Sequence, residues 1–157
     1  MATKDQLQEL RNYTACDISD ALLKLKVPNC GFLSDLNLYT PPSASLSRQV
    51  LIAPASTVLF APKTGTDLSG YPEPNIPSGK HYVDLTVPET IVVISQPKGQ
   101  ICAVLGGIMA LRMKVLNAQG VVVHGRVRDV EELASTGLPV SFLFMTYFLH
   151  FYAELVG

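Results

Sequence analysis

Apolar and polar positions change period several times along this chain of 157 residues, and each change marks an expected element. Leu7 and Leu10 share one face of a first short helix that Thr3 can cap. A second helix is expected to start between Thr14 and Asp17 and run to Lys26, because a residue before proline disfavours helical backbone and Val27-Pro28 follows. Asn29-Cys30-Gly31 reads as a turn, and residues 39–47, rich in Pro and Ser, as a loop. Residues 49–61 (QVLIAPASTVLFA) are strand-like, with a break or bulge at Pro54. Residues 62–82 then form a loop long enough to be functional or mobile.

The second half is more regular. Ile91-Val92-Val93-Ile94-Ser95 is a buried strand after a turn at Val87-Pro88-Glu89-Thr90, and residues 101–105 form a short strand or the approach to a helix. Residues 107–118 are helical, with Ile108, Leu111, Val115 and Ala118 as the apolar stripe. Gly120 suits a left-handed helix stop, residues 120–124 form a short buried strand, and residues 129–136 form a helix that ends at Gly137. Strands alternating with helices predict α/β layering with at least one parallel strand pair. Residues 138–156 (LPVSFLFMTYFLHFYAELV) are apolar almost throughout and approach the ~20 residues of a membrane span. Pro139 at their start, with His150 and Glu154 near their end, favours a buried strand followed by an apolar helix.

Composition narrows the function classes. The length suits one domain with a real core, and 48% hydrophobic against 16% charged residues argues against disorder. A net charge of −1 gives no global field that would draw nucleic acid. Cys16, Cys30 and Cys102 are odd in number and lack metal-ribbon spacing, so they are expected to be reduced thiols of a cytoplasmic protein. The polar N-terminus has no secretory apolar region.

The chemistry-bearing pattern is Gly107, then twenty residues, then Arg128-Asp129, two residues and Glu132. Gly106-Gly107 lets the backbone approach a ligand, and the helix that follows offers its first N–H groups to a carboxylate. Arg128 can grip a carboxylate or a developing enolate with its planar fork. Asp129 can hold Mg²⁺ or Mn²⁺, since magnesium takes one or two protein carboxylates and keeps water and substrate oxygens for the rest. Plainer readings stand beside these. The glycines can be a simple strand-to-helix turn, Asp129 with Glu132 a capping box, and Arg128 a surface partner of Glu131 or Glu132.

Other positions carry less. His124 lies among valines and suits a partly buried, satisfied histidine; Asp17 and Asp20 flank Ser19 at a helix start and suit capping. Arg112 and Lys114 read as solvated, and His81 has no evident partner. Nucleophile-elbow, P-loop, zincin and complete dinucleotide-binding patterns are missing from the sequence, and no lysine lies in an apolar run.

Residues 105–140 (LGGIMALRMKVLNAQGVVVHGRVRDVEELASTGLPV) resemble the RraA-like family, which includes 4-hydroxy-4-methyl-2-oxoglutarate aldolases and regulators of ribonuclease E activity. CDISDALLKL, ASTVLFAP and VPETIVVISQPKG resemble family stretches in the same order, so the likeness covers roughly residues 8–140 and is nearest to fungal aldolase-type members. It implies a layered β/α, swivelling-domain-like core, and a homotrimer or dimer of trimers with sites at subunit boundaries. By motif, Gly106, Gly107, Ile108 and Met109 would present amides to a pyruvyl carboxylate. Arg128 would contact that carboxylate and the C2 oxygen, and Asp129 would bind the divalent metal. The implied reaction is a metal-dependent retro-aldol cleavage of 4-hydroxy-4-methyl-2-oxoglutarate to pyruvate, with oxaloacetate decarboxylation through the same enolate. Two alternatives stand beside it, a non-catalytic interaction module like the ribonuclease regulators and an inactive truncated form. Many aldolase members carry an acidic residue where this chain has Gly107. The family pattern also stops after Leu138-Pro139-Val140, which implies a domain over residues 1–140, incomplete at its C-terminus, and a divergent apolar tail over residues 141–157 from truncation or alternative splicing.

Overall fold

β-branched runs build the centre of the molecule. The computed structural model describes residues 3–40, 50–62 and 68–145. Five strands, β1 (Asn37–Thr40), β2 (Ala55–Leu59), β3 (Ile91–Ser95), β4 (Gly120–Val127) and β5 (Val140–Met145), form one sheet in the order β1-β5-β4-β3-β2. β2, β3, β4 and β5 run parallel, and β1 closes one edge antiparallel to β5. The fold class is the α/β expected, with three parallel pairs where at least one was predicted.

Two helices lie in the crossovers: α3 (Gly107–Val115) joins β3 to β4, and α4 (Val130–Thr136) joins β4 to β5. In-register pairing of Ile91 to Ser95 with Gly120 to His124 puts Val92 and Ile94 level with Val121 and Val123. These four are buried, and with Leu105, Ala110, Met113 and Leu133 they form the core. Burying each of the larger of these side chains contributes roughly 1.5–3 kcal/mol. Gly137, at φ 66°, ends α4 as expected.

The N-terminal helices follow their caps. α1 (Lys4–Glu9) begins at a capping box of Thr3 and Gln6, and α2 (Ala15–Lys24) at one of Thr14 and Asp17. Asp17 thus has the capping role expected. Thr14 hydrogen bonds, first the hydroxyl's and then the amide's, hold its carboxyl below the ordinary aspartate value. Neither helix buries a residue.

Several expectations needed correction. Three of the four residues in the stripe predicted for α3 face outward, Ile108 at 82% exposed, Leu111 at 51% and Val115 at 68%; Ala118, just past the helix, is buried as expected. The buried face is Gly107, Ala110 and Met113. α3 is apolar on both sides, so periodicity could not choose between them; the small residues win because α4 approaches closely there. The left-handed residue after α3 is Asn117 (φ 66°) rather than Gly120, which opens β4. β4 extends to Val127, and β2 is confined to Ala55–Leu59 after Pro54. Much of the expected loop at 39–47, part of the loop at 62–82 and the apolar stretch beyond residue 145 lie outside the described residues. Among the described residues, no helix is long and apolar enough to cross a membrane.

Candidate functional site

A short parallel pairing beyond the end of β3 assembles the candidate site. The Val104 amide donates to the Arg126 carbonyl at 2.9 Å, and the Arg128 amide donates to the Leu105 carbonyl at 3.0 Å, with Leu105 bridged to Val127. Residues 101–105, expected as a strand or approach, therefore touch β4 only at their end. Each chain then turns away at once, one into Gly106-Gly107 and the other into Arg128-Asp129. The motif's two halves meet because they leave the same rung of the sheet.

Gly106 and Gly107 are spaces as well as turns. A Cβ on Gly106 would stand 2.8 Å from Asp129 Oδ2 and 3.3 Å from Arg128 Nε. One on Gly107 would stand 2.4 Å from Glu132 Cβ and 2.5 Å from Glu132 Oε2. Real side chains do not approach so closely, so only the bare backbone lets both acidic groups reach the α3 entry. Gly106 occupies the cap position with extended backbone and supplies no side-chain cap. The first amide bonded within the helix is that of Ala110, to the Gly106 carbonyl at 3.0 Å. The amides of Gly107, Ile108 and Met109 precede that bonding and carry the positive end of the helix dipole.

Asp129 departs from the capping-box reading. It stands at the cap position just before α4 with left-handed backbone, φ 56° and ψ 48°, and its side chain caps nothing. Aspartate tolerates that region better than most residues, at a cost of about 1 kcal/mol. The backbone twist turns the carboxylate toward Gly106. Arg128 Nε lies 3.5 Å from Asp129 Oδ2, so Arg128 pairs with its neighbour rather than with Glu131 or Glu132. The Arg128 and Asp129 side chains are 60% and 35% exposed, which limits the pair to roughly 0–1 kcal/mol. Guanidinium and carboxylate thus both remain available to a ligand.

Residue chemistry suits a hard divalent cation. Asp129 and Glu132 both present carboxylate oxygens at the diglycine, and among the described residues no group of three or more His, Cys, Asp or Glu surrounds them. Two carboxylates with water and substrate oxygens suit Mg²⁺ or Mn²⁺; the nitrogen and sulfur donors that favour zinc are not there. The reading of Glu132 as a capping residue missed this placement, and the motif's two-residue spacing was its signal.

The neighbouring turn was not foreseen. A 3-10 turn, Tyr82–Leu85, packs beside α3, with the His81 ring accepting from the Val83 amide and Asp84 bonding the His81 amide. His81 therefore has a partner within its own turn. Asp84 Oδ1 lies 3.2 Å from Arg112 Nε, so Arg112 is not merely solvated. The His81 amide first, then the Arg112 hydrogen bond, holds the Asp84 carboxyl below its ordinary value. Lys114 donates to the Thr136 carbonyl and ties α3 to the end of α4. His124 is exposed, against the partly buried position expected. All three cysteines are free.

A cleft of about 950 Å³ lies elsewhere, lined by Phe32 and Leu33 and by Gln96, Lys98, His124 and Arg126. The Arg128-Asp129 corner borders neither this cleft nor the two others, one lined by Tyr71 and Ile76 and one by Leu38 and Val50. It is open, and its chemistry rather than its enclosure marks it as the candidate.

Known proteins resemble the chain throughout this region. Residues 15–148 match the family described as RraA-like: Aldolase/RraA. Protein DlpA of Legionella pneumophila is 35% identical over 137 residues, covering 85% of this chain and 20% of that protein, so the chain spans about a fifth of the length of this relative. RraAS2 of Streptomyces coelicolor, an unusual member of the RNase ES inhibitor RraA protein family, shares the fold with a TM-score of 0.69 at 18% identity, over 93% of this chain and 66% of that one. An uncharacterized protein of Pseudomonas syringae pv. tomato does so at 0.66 and 22%, over 92% and 58%. With the matched region running from α2 through β5 and containing the whole Gly-Gly and Arg-Asp corner, the chain belongs to the RraA-like family.

Proposed function

We propose that this protein is a divalent-metal-dependent carbon–carbon lyase that cleaves 4-hydroxy-4-methyl-2-oxoglutarate to pyruvate and decarboxylates oxaloacetate. The observation that carries the reading is the freed Asp129 carboxylate, turned by its left-handed backbone toward Gly106 with Arg128 beside it. Asp129 would hold Mg²⁺ or Mn²⁺, and Glu132 would accept hydrogen bonds from water around the ion. The cation, when bound, supplies Lewis acidity at the C2 carbonyl.

The remaining work falls to groups of this chain. The amides of Gly107, Ile108 and Met109 bind the C1 carboxylate, as the positive end of a helix favours an anion. The Arg128 fork spans that carboxylate and the C2 oxygen, where negative charge grows as the C3–C4 bond breaks. Its charge contributes more there than in the substrate, because the oxygen gains charge only on the way to the enolate.

The open corner and the exposed row Ile108, Leu111 and Val115 beside it support assembly as a homotrimer or dimer of trimers in which a neighbouring subunit closes the site. Free cysteines and a net charge of −1 support a cytoplasmic protein that does not engage nucleic acid. Pyruvate release from oxaloacetate, measured with Mg²⁺ or Mn²⁺, with EDTA and in Asp129→Ala, tests the reading. Equal rates in all three would end it.

The same apolar row supports a second reading, a non-catalytic module that docks on another protein. A stable complex with a protein partner, formed by a chain without metal-dependent turnover, would favour it.

A further inference from the structure

We infer that Tyr82 is a positioning residue for the amides of Gly107, Ile108 and Met109, acting through the Val104 carbonyl; this role rests on the lyase reading above. Tyr82 is 8% exposed and sits edge-on to Phe60, ring centroids 5.3 Å apart at 77°. Its hydroxyl donates to the buried carbonyl of Val104 and lies 3.4 Å from Met109 Sδ. The amide of the same Val104 is committed to Arg126 in β4. Val104 is thus held from both sides, two residues before the chain turns at Gly106. Met109, the second contact, is in the first turn of α3. One hydroxyl therefore touches both ends of the segment that carries the three amides. The Asp84–Arg112 pair ties the turn bearing Tyr82 to α3 as well.

Phenylalanine would fill the same space against Phe60. The hydroxyl adds direction. Without it the Val104 carbonyl loses its partner in a buried place, and the turn into α3 is free to shift. Displacement of well under an ångström blunts hydrogen bonds that depend on aim. Arg128 and Asp129 hang from β4 and stay where they are.

Tyr82→Phe, purified as the full chain and assayed with oxaloacetate and Mn²⁺, is expected to raise KM about 5- to 20-fold while kcat changes less than about 3-fold. Mn²⁺ binding, measured separately by titration calorimetry, should stay within about 2-fold, because Asp129 is anchored from the other side. A drop in melting temperature with KM unchanged would assign the hydroxyl to stability alone and overturn the inference. Asp84→Asn serves as the comparison; a KM rise as large as that of Tyr82→Phe would assign the effect to the whole turn and also overturn it. Should Tyr82→Phe not fold, Met109→Leu removes the hydroxyl's second contact and keeps the side chain's volume. Its KM is expected to rise about 2- to 5-fold while kcat changes less. An unmoved KM would overturn the role. An unsubstituted protein without metal-dependent turnover would remove the lyase reading and this role together, whereas normal turnover with an unmoved KM removes this role alone.

Discussion

The Arg128 amide donates to the Leu105 carbonyl across 3.0 Å, and this one bond sets the two halves of the candidate site side by side. Gly106 follows Leu105 and Asp129 follows Arg128, so each half leaves the sheet next to the other. Twenty residues separate the halves in sequence because the rest of α3 and all of β4 lie between them. The spacing is a measure of one helix and one returning strand.

Asp129→Asn should keep the fold and lose the chemistry. Asparagine tolerates the same left-handed backbone, so the melting temperature is expected to move by no more than a few degrees. Turnover of oxaloacetate should fall on the order of 100- to 1000-fold, with the remaining rate indifferent to EDTA. Retained Mn²⁺-dependent turnover would move the metal away from this residue.

Gly107→Ala should be destabilising although alanine favours helices. The new methyl would stand 2.4 Å from Glu132 Cβ, and both backbones must give. Overpacking of this kind costs about 1–3 kcal/mol, readable in urea denaturation as a lower midpoint with an unchanged slope. A midpoint equal to that of the unsubstituted protein would show that α3 and α4 do not approach as described.

Arg128→Lys separates charge from shape. The pair with Asp129 is exposed, so stability should change by less than about 1 kcal/mol. A lysine lacks the planar fork, and kcat/KM for oxaloacetate should drop about 10-fold or more. Unchanged kinetics would leave Arg128 as a surface charge.

Leu111→Asp tests whether the outer face of α3 is covered in solution. On an unpartnered helix face the substitution is nearly neutral for the fold. In a homotrimer closed through this face, it should shift the light-scattering mass toward the monomer and lower turnover together. An unshifted mass would place the subunit contact elsewhere.

Acid should weaken the fold through carboxylates held in their charged form. Asp17 and Asp84 both have lowered folded values, and neither is buried. The unfolded chain binds their protons first, so the stabilisation is fully present above the ordinary aspartate value near 4. It is lost as pH falls from there through the lowered folded values. Asp84→Asn should lower the melting temperature slightly at pH 7 and converge with the unsubstituted protein below that window, so its curve falls less steeply on acidification. A parallel curve would deny Asp84 any part.

Much of this was legible along the chain. Thr3 and Thr14 announced their helices because a capping box is a local bond between residues three apart. Ile91 to Ser95 and Gly120 to His124 announced buried strands because branched side chains suit a pleated, covered surface. Local geometry also explains why the sequence left two readings open at Asp129: a capping box and a left-handed carboxylate share the same letters, and only the packing of α4 on Gly107 separates them.

Patterns along the chain fixed most of the strands and helices, though not β1, together with the caps of α1 and α2, the stop of α4 and the residue types that carry charge at the candidate site. Those properties depend on neighbours a few residues away. Packing settled which side of the doubly apolar α3 is buried, that the diglycine leaves room for two carboxylates, and that Tyr82 reaches Val104 from a turn 22 residues earlier. Those depend on surfaces meeting across the fold, where the bulk of a single methyl group decides which approach is allowed.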